Sequence, residues 1–457
     1  MLKAEKFAEP VIATEYAEDE ATKPLLAKHQ TRKNSINGER RGATTSHGIH
    51  WLWATVILCN TLVGAGVLNF PYVFNESGGL AYAVSLQVIL VFTLFMGITA
   101  MAWCSDLAGT SYYQDTTEAW LGKFGQIFVA TNMILFGYAI SIAYAIAIGQ
   151  QMSDGSAILH QFATANYNVS DSVTCPSDRW SQSVPWFLSR TALSIAIAVL
   201  VVFPLCTVRH LDRLHYASAV ASSTVLLLAT VAIYEYFSRD AERSGEFVPP
   251  NNGPKRPTDV LLAVPTLCVA YMYDLSSIAL YGRMKHRTMR NFVKATGCAI
   301  VAGFVYYNVL SAVVLATFGG AVQTDFLGNY AKFKNVVIVV MQYAYSVKIA
   351  LEYPIYQFHA WTAMRTLWQL YRGAGVRVQL SDHRDGDEQW LHSTTGSRLL
   401  TSVDWARVAC AALWVASTFL VALFASSISV ALPLAGVLVL QFQLTLPANE
   451  TAGFLPF

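Results

Sequence analysis

Charge is scarce in this chain. Asp, Glu, Lys and Arg make up 13% of its 457 residues, against 54% hydrophobic residues and a mean hydropathy of +0.40. A soluble domain carries about 25% charged residues, so a water-facing surface of ordinary polarity is excluded. Cysteine is sparse, and Cys59, Cys206, Cys268 and Cys298 fall in apolar runs, where the residue behaves as a small hydrophobe; a disulfide framework is not expected. The polar first fifty residues, opening Met-Leu-Lys-Ala-Glu-Lys, hold no signal-peptide core. Paired metal ligands, a nucleophile elbow and a phosphate loop are lacking, and Cys59 and Cys268 have no matching base. These absences argue against an enzyme, against a bound cofactor or metal, and against a nucleic-acid partner.

What stands in place of charge is a series of apolar runs, near 51–74, 80–104, 126–150, 189–208, 215–236, 259–282, 295–318, 335–361, 405–425 and 429–447. Crossing a bilayer takes about 20 such residues, so an all-α, multi-pass membrane protein of about ten transmembrane helices is expected. Only Ser426-Ser427-Ile428-Ser429 divides the last two runs. Lys and Arg gather in residues 1–50, in Arg283-Met-Lys285-His-Arg287-Thr-Met-Arg290 and around 365–398, which places the N-terminal tail in the cytosol. The outside loop at 152–188 then contains Asn168-Val-Ser170, a glycosylation acceptor, and Cys175, the only cysteine in any outside loop. The expected layout is a disordered cytosolic tail at 1–50, a transmembrane transport domain at 51–447 and a short tail at 448–457.

Two of the runs break at their own centres. The first reads Asn60-Thr61-Leu-Val-Gly64-Ala65-Gly66-Val-Leu-Asn-Phe-Pro71, and the sixth reads Val-Pro265-Thr266-Leu-Cys268-Val-Ala-Tyr271-Met-Tyr273-Asp274. Backbone N–H and C=O groups freed at that depth cannot be satisfied by lipid, so they face protein, water or a solute. The breaks lie about half the membrane region apart, which fits a 5+5 inverted repeat of the leucine-transporter type. An amino acid brings a carboxylate and an ammonium, neither of which enters hydrocarbon alone. The N–H groups around Gly64, Ala65 and Gly66 suit the carboxylate, and the freed carbonyls near Thr266 and Tyr271 suit the ammonium.

Gly64-Ala65-Gly66-Val-Leu-Asn-Phe-Pro71 followed by Gly78-Gly79 resembles the first helix of the amino acid/auxin permease superfamily, in particular its sodium-coupled neutral amino acid transporter branch. Pro265-Thr266-Leu-Cys268 with Leu275-Ser276-Ser277 is similar to the sixth helix of the lysosomal glutamine-transporter members, and Tyr112-Tyr113-Gln114, Phe318-Gly319 and Tyr353-Pro354-Ile355 match as well. The resemblance covers roughly residues 48–365. It implies amino acid transport, Na+ or H+ as the coupling ion, and Asn60 as a ligand for substrate or ion; a plain helix-to-helix hydrogen bond is the other reading of Asn60.

Three departures from the family pattern stand out. Glu352 occupies the place of a Ser or Thr hydroxyl that would hold sodium, with Lys348 one turn earlier on the same face. Glu352 could ligate sodium, carry a proton, or pair with a Lys348 that stands in permanently for the sodium charge; a purely structural ion pair is the fourth reading. Asp274 replaces a histidine and could relay protons, hold an ammonium, or bond neighbouring hydroxyls. The family's usual eleventh helix has no counterpart before Phe457.

The expected function is a secondary active transporter, a symporter, moving amino acids by alternating access in a lysosomal, endosomal or plasma membrane. The substrate site would comprise Asn60, Thr61, Gly64, Ala65, Gly66, Thr266, Cys268 and Tyr271, and the ion site Asn60, Asp274, Lys348 and Glu352. The alternative is an amino-acid sensor whose tail signals to a cytosolic partner. Within that tail, Glu18-Asp-Glu20-Ala-Thr-Lys-Pro-Leu25-Leu26 resembles an acidic dileucine sorting signal.

Overall fold

The structure, a computed structural model, describes residues 48–64, 66–163, 185–207, 223–238, 249–253, 256–331, 336–372, 405–424, 428 and 431–438. The tail with its dileucine, Ala65, Asn168, Cys175, the 373–404 stretch and most of the last apolar run lie outside them. Residues from Ile49 onward belong to one compact unit.

Among the described residues the fold is helical, with a lone parallel bridge between Ile49 and Met284. The helices are α1 (Trp51–Leu62), α2 (Gly66–Glu76), α3 (Leu80–Ala108), α4 (Tyr113–Ala163), α5 (Arg190–Ile197), α6 (Phe203–Thr207), α7 (Ser223–Ser238), α8 (Pro257–Ala270), α9 (Asp274–Gly282), α10 (Met289–Phe318), α11 (Phe326–Ala331), α12 (Val336–Tyr371) and α13 (Trp405–Phe424). Among the described residues, six helical stretches are long and apolar enough to cross a membrane, and α1 with α2, bent by 62° at their break, make a seventh. The chain is thus an integral membrane protein.

Local chemistry accounts for the irregular points. α4 begins earlier than the 126–150 run because a short helix from Tyr113 joins it across Gly122, whose φ of 65° suits a residue without Cβ. Between α5 and α6 the chain forms a π turn over Ala198–Val202, where the Phe203 N–H reaches back to the Ala198 carbonyl. Pro204 follows directly; it has no N–H to donate and its ring crowds the turn before it, so the wider turn relieves both. α2 turns into α3 through Gly78 and Gly79 at φ 108° and 95°.

The connecting segments sort to two ends. At one, Ile49 exchanges backbone hydrogen bonds with Arg283 and Lys285 (3.0 and 2.9 Å), and Arg287 meets Asp106 (3.5 Å), the Thr110 carbonyl (2.6 Å) and the Tyr281 ring. At the other, the Asn251 side chain and backbone bond Asn75, and Gln151 bonds Asp325. The basic cluster of Arg283, Lys285, Arg287 and Arg290 lies at the first of these ends.

Burial separates lipid-facing helices from central ones. In its apolar window α3 is 22% buried, exposing Val88, Ile89, Phe92 and Met96, whereas α4 and α12 are 67% and 61% buried and form the most extensive helix pair. Lipid gives helices no hydrophobic reason to associate, so close packing and polar contacts hold them together. Trp414 Nε1 donates to Ser141 Oγ (3.1 Å), Tyr353 and Thr418 hydroxyls meet at 2.5 Å, and Gln87 joins Tyr271 to Asn308.

Candidate functional site

The first break is a tight unwinding. α1 closes with the Val63 N–H on the Cys59 carbonyl, Gly64 N–H turns back to the Leu62 carbonyl (3.2 Å), and α2 begins at Gly66. Helix ends leave carbonyls and N–H groups without intrahelical partners. Here three successive carbonyls are each met by a side chain from a distant helix. Tyr307 on α10 donates to Leu62 O (2.8 Å), Lys348 Nζ on α12 donates to Val63 O, and Tyr345 on α12 donates to Gly64 O (2.9 Å).

The second break lies at Tyr271–Tyr273, between α8 and α9. α8 runs unbroken through Pro265 and Thr266, so the freed carbonyl is that of Ala270, a turn beyond Thr266; Cys268 and Val269 carbonyls are closed by the Tyr271 and Met272 N–H groups, both at 3.1 Å. Tyr307 shares its hydroxyl between Ala270 O (3.3 Å) and Leu62 O, so a single tyrosine ties the two breaks together. They are also in contact: a Cβ added to Gly66 would stand 3.5 Å from Ala270 Cβ. Tyr307→Phe takes this donor from Ala270 O and leaves Leu62 O with the Gly64 N–H, and is expected to cost about 1–3 kcal/mol. Denaturant unfolding of the purified variant measures this, with Tyr306→Phe as a comparison that leaves both breaks capped.

Opposite the breaks stands the α4–α12 pair. Lys348 Nζ lies 2.7 Å from Glu352 Oε1, with the two residues 0% and 4% exposed, and Tyr144 on α4 donates to Glu352 Oε2 at 3.1 Å. Buried charges persist only when paired and hydrogen-bonded, and both conditions are met. Val63 O, Lys348, Glu352 and Tyr144 thus form one chain of contacts from α1 through α12 to α4. Beside it lies a cavity of ≈ 10 Å³ lined by Thr61, Gly64, Gly66, Tyr144, Ala270 and Tyr356, about the room of one water.

Of the residues singled out from the sequence, Thr61, Gly64 and Gly66 line this cavity, and the Lys348–Glu352 pair reaches it through Tyr144, which lines it and bonds Glu352. Asn60 is buried in α1, one turn before the break. Thr266 and Cys268 are buried within α8 and are absent from the lining. The Tyr271 side chain turns away to Gln87 on α3. Asp274 opens α9, but its side chain, like all of Ala65 and Asn168, lies outside the described residues. Sequence reasoning missed Tyr144, Tyr307, Tyr345 and Tyr356. Tyr345, Lys348, Glu352 and Tyr356 recur at helical spacing along one face of α12, and that stripe was the available signal.

Comparison with known proteins agrees with this architecture. The model of the family described as transmembrane amino acid transporter protein matches residues 47–448. Sodium-coupled neutral amino acid transporter 7 of Danio rerio is 24% identical over 373 residues, covering 81% of this chain and 75% of the relative. The Homo sapiens protein of that name is 25% identical over 353 residues, covering 77% and 71%. Solute carrier family 38 member 8 of Mus musculus is 23% identical over 396 residues, covering 85% and 81%. With a family match over nearly its whole length, the chain belongs to the transmembrane amino acid transporter family, on the branch of the sodium-coupled neutral amino acid transporters.

Proposed function

We propose that this protein carries amino acids across its membrane by alternating access, with the Lys348 ammonium held permanently where a free coupling cation would otherwise sit. The observation that carries this reading is the placement of Nζ between Val63 O and Glu352 Oε1. A backbone carbonyl at a broken helix and a carboxylate are the hard oxygen ligands that an alkali cation uses. Here a tethered cation uses them. The sodium coupling in the relatives' names therefore does not carry over unchanged.

The substrate belongs between the breaks. Its carboxylate faces the positive N-terminal end of α2 at Gly66, and its ammonium faces the carbonyl end of α8 at Ala270. Tyr144 and Tyr356 bound the space from the α4–α12 side and set the size of substrate side chain that fits. A cavity of ≈ 10 Å³ is too small for an amino acid, so binding requires the broken helices to part from α4 and α12. That parting is the rocking movement of a bundle against a scaffold, as a 5+5 arrangement with α1–α2 and α8–α9 as its first helices would perform it.

Uptake of a panel of labelled amino acids into proteoliposomes tests both parts. Saturable uptake that persists when sodium is replaced by choline is the expected result. Uptake that vanishes without sodium overturns the fixed-cation reading, and no uptake of any amino acid overturns the transport reading.

A further inference from the structure

A second polar cluster lies at the outer end of α4 and α12, apart from the broken helices. Asp325 immediately precedes α11, and the residue is only 5% exposed. It accepts hydrogen bonds from Gln151 Nε2 on α4 and from the Leu327 N–H (3.1 Å), and it forms no ion pair with Lys or Arg among the described residues. Among the described residues, the charged and titratable groups facing it are Asp154 on α4, itself answered by Arg190 of α5, and Tyr345 on α12. Polar capacity around it is unused. Gln151 Oε1 and both amide atoms of Gln342 are buried without a hydrogen-bond partner. A Cβ on Gly155 would lie 3.2 Å from Gln342 Oε1, so Gln342 abuts α4 one turn from Gln151. α11 packs against α2, α4 and α12, across the outer end of the second half of the broken span.

We propose that Asp325 is a proton-binding site on the outer side of the membrane, and that proton uptake there holds α11 down over the broken span. The inference rests on the transport reading only for its consequence in the cycle. A carboxylate buried without a cation is unfavourable when ionised and far less so when neutral. Lifting α11 returns it to water, where an aspartate titrates near about 4. In the buried arrangement, desolvation and the Asp154 carboxylate push its pKa up to about 7, against the pull of the Leu327, Gln151 and Gly328 donors. The proton is bound more tightly with α11 down, and by linkage the proton favours α11 down. Acid on the outer side closes; alkali opens.

Hydrogen exchange of the full-length protein in lipid nanodiscs, corrected for intrinsic exchange rates, tests this at residues 322–331. Between pH 5.5 and pH 8.5 the corrected exchange should rise by about fivefold or more, the population shift expected from a group titrating in that window. Asp325→Asn, permanently neutral, should stay protected at both. Wild-type exchange independent of pH overturns the proposal, as does an Asp325→Asn variant that retains the wild-type pH profile. Should the variant fail to fold, a wild-type midpoint far from pH 7 overturns it alone. If exchange responds as expected while proteoliposomes take up no amino acid, the transport reading falls and the proton site stands.

Discussion

Lys348→Met is expected to abolish uptake and to destabilise the purified protein by about 3–5 kcal/mol, the typical cost of removing one partner of a buried ion pair. The substitution nearly conserves side-chain volume, so packing survives while the charge is lost. Two groups then lose the ammonium. Glu352 keeps the Tyr144 hydroxyl but no longer faces the lysine charge, and Val63 O loses the donor that caps it. Glu352→Gln should be milder, because Lys348 still reaches Val63 O and an amide oxygen can replace the carboxylate. Adding Glu352→Gln to Lys348→Met should recover much of the lost stability without recovering uptake, because the double variant has no stranded charge and no fixed cation. Thermal unfolding in detergent and proteoliposome flux, measured on all four proteins, separate packing from transport. If the Lys348→Met protein transports at the wild-type rate, the ammonium has no part in the cycle. Lys348→Ala clears space beside Val63 O and Glu352, and residual uptake by that variant should become dependent on added sodium.

Gly64→Ala should reduce uptake about tenfold or more, equivalent to about 1.4 kcal/mol on the barrier. The added Cβ would stand 2.7 Å from the Tyr144 hydroxyl, well inside contact distance. That hydroxyl cannot simply swing aside, because it is bonded to Glu352 and its ring meets Tyr356 edge-on at 5.5 Å between centroids. The strain therefore passes to the Lys348–Glu352 pair or splits α1 from α4, and overpacking of this kind costs about 1–3 kcal/mol. Tyr144→Phe removes the clashing oxygen, so Gly64→Ala with Tyr144→Phe should regain part of the lost rate, though not the bond to Glu352. A Gly64→Ala protein with unchanged kinetics would show that α1 and α4 do not close on one another during transport.

The interrupted first span was legible because Gly64 and Gly66 disfavour helix at its centre; Pro71, a second signal, is absorbed within α2. The sixth was legible only approximately. Freed carbonyls are expected near Thr266 and Tyr271; α8 absorbs Pro265 and runs on through Thr266, and the break falls at Tyr271, where Tyr307 takes the freed Ala270 carbonyl. The pairing of Lys348 with Glu352 is local and could be read from their spacing. Their meeting with the first break could not, since Lys348 and Val63 are 285 residues apart and Tyr345 and Gly64 are 281 apart. Asp325 gave no signal, being an ordinary loop aspartate until α4 and α12 bury it.

The amino-acid sequence by itself determined that this chain lives in a bilayer, because the free energy of placing an apolar run in lipid is summed residue by residue along that run. It also determined that the first run could not cross as one straight helix. Which groups answer the exposed peptide carbonyls, and where two charges can lie buried, was decided only by the tertiary structure. Those interactions depend on two tyrosines and a lysine arriving at the first break from helices 245 to 285 residues away, and no local pattern carries that distance.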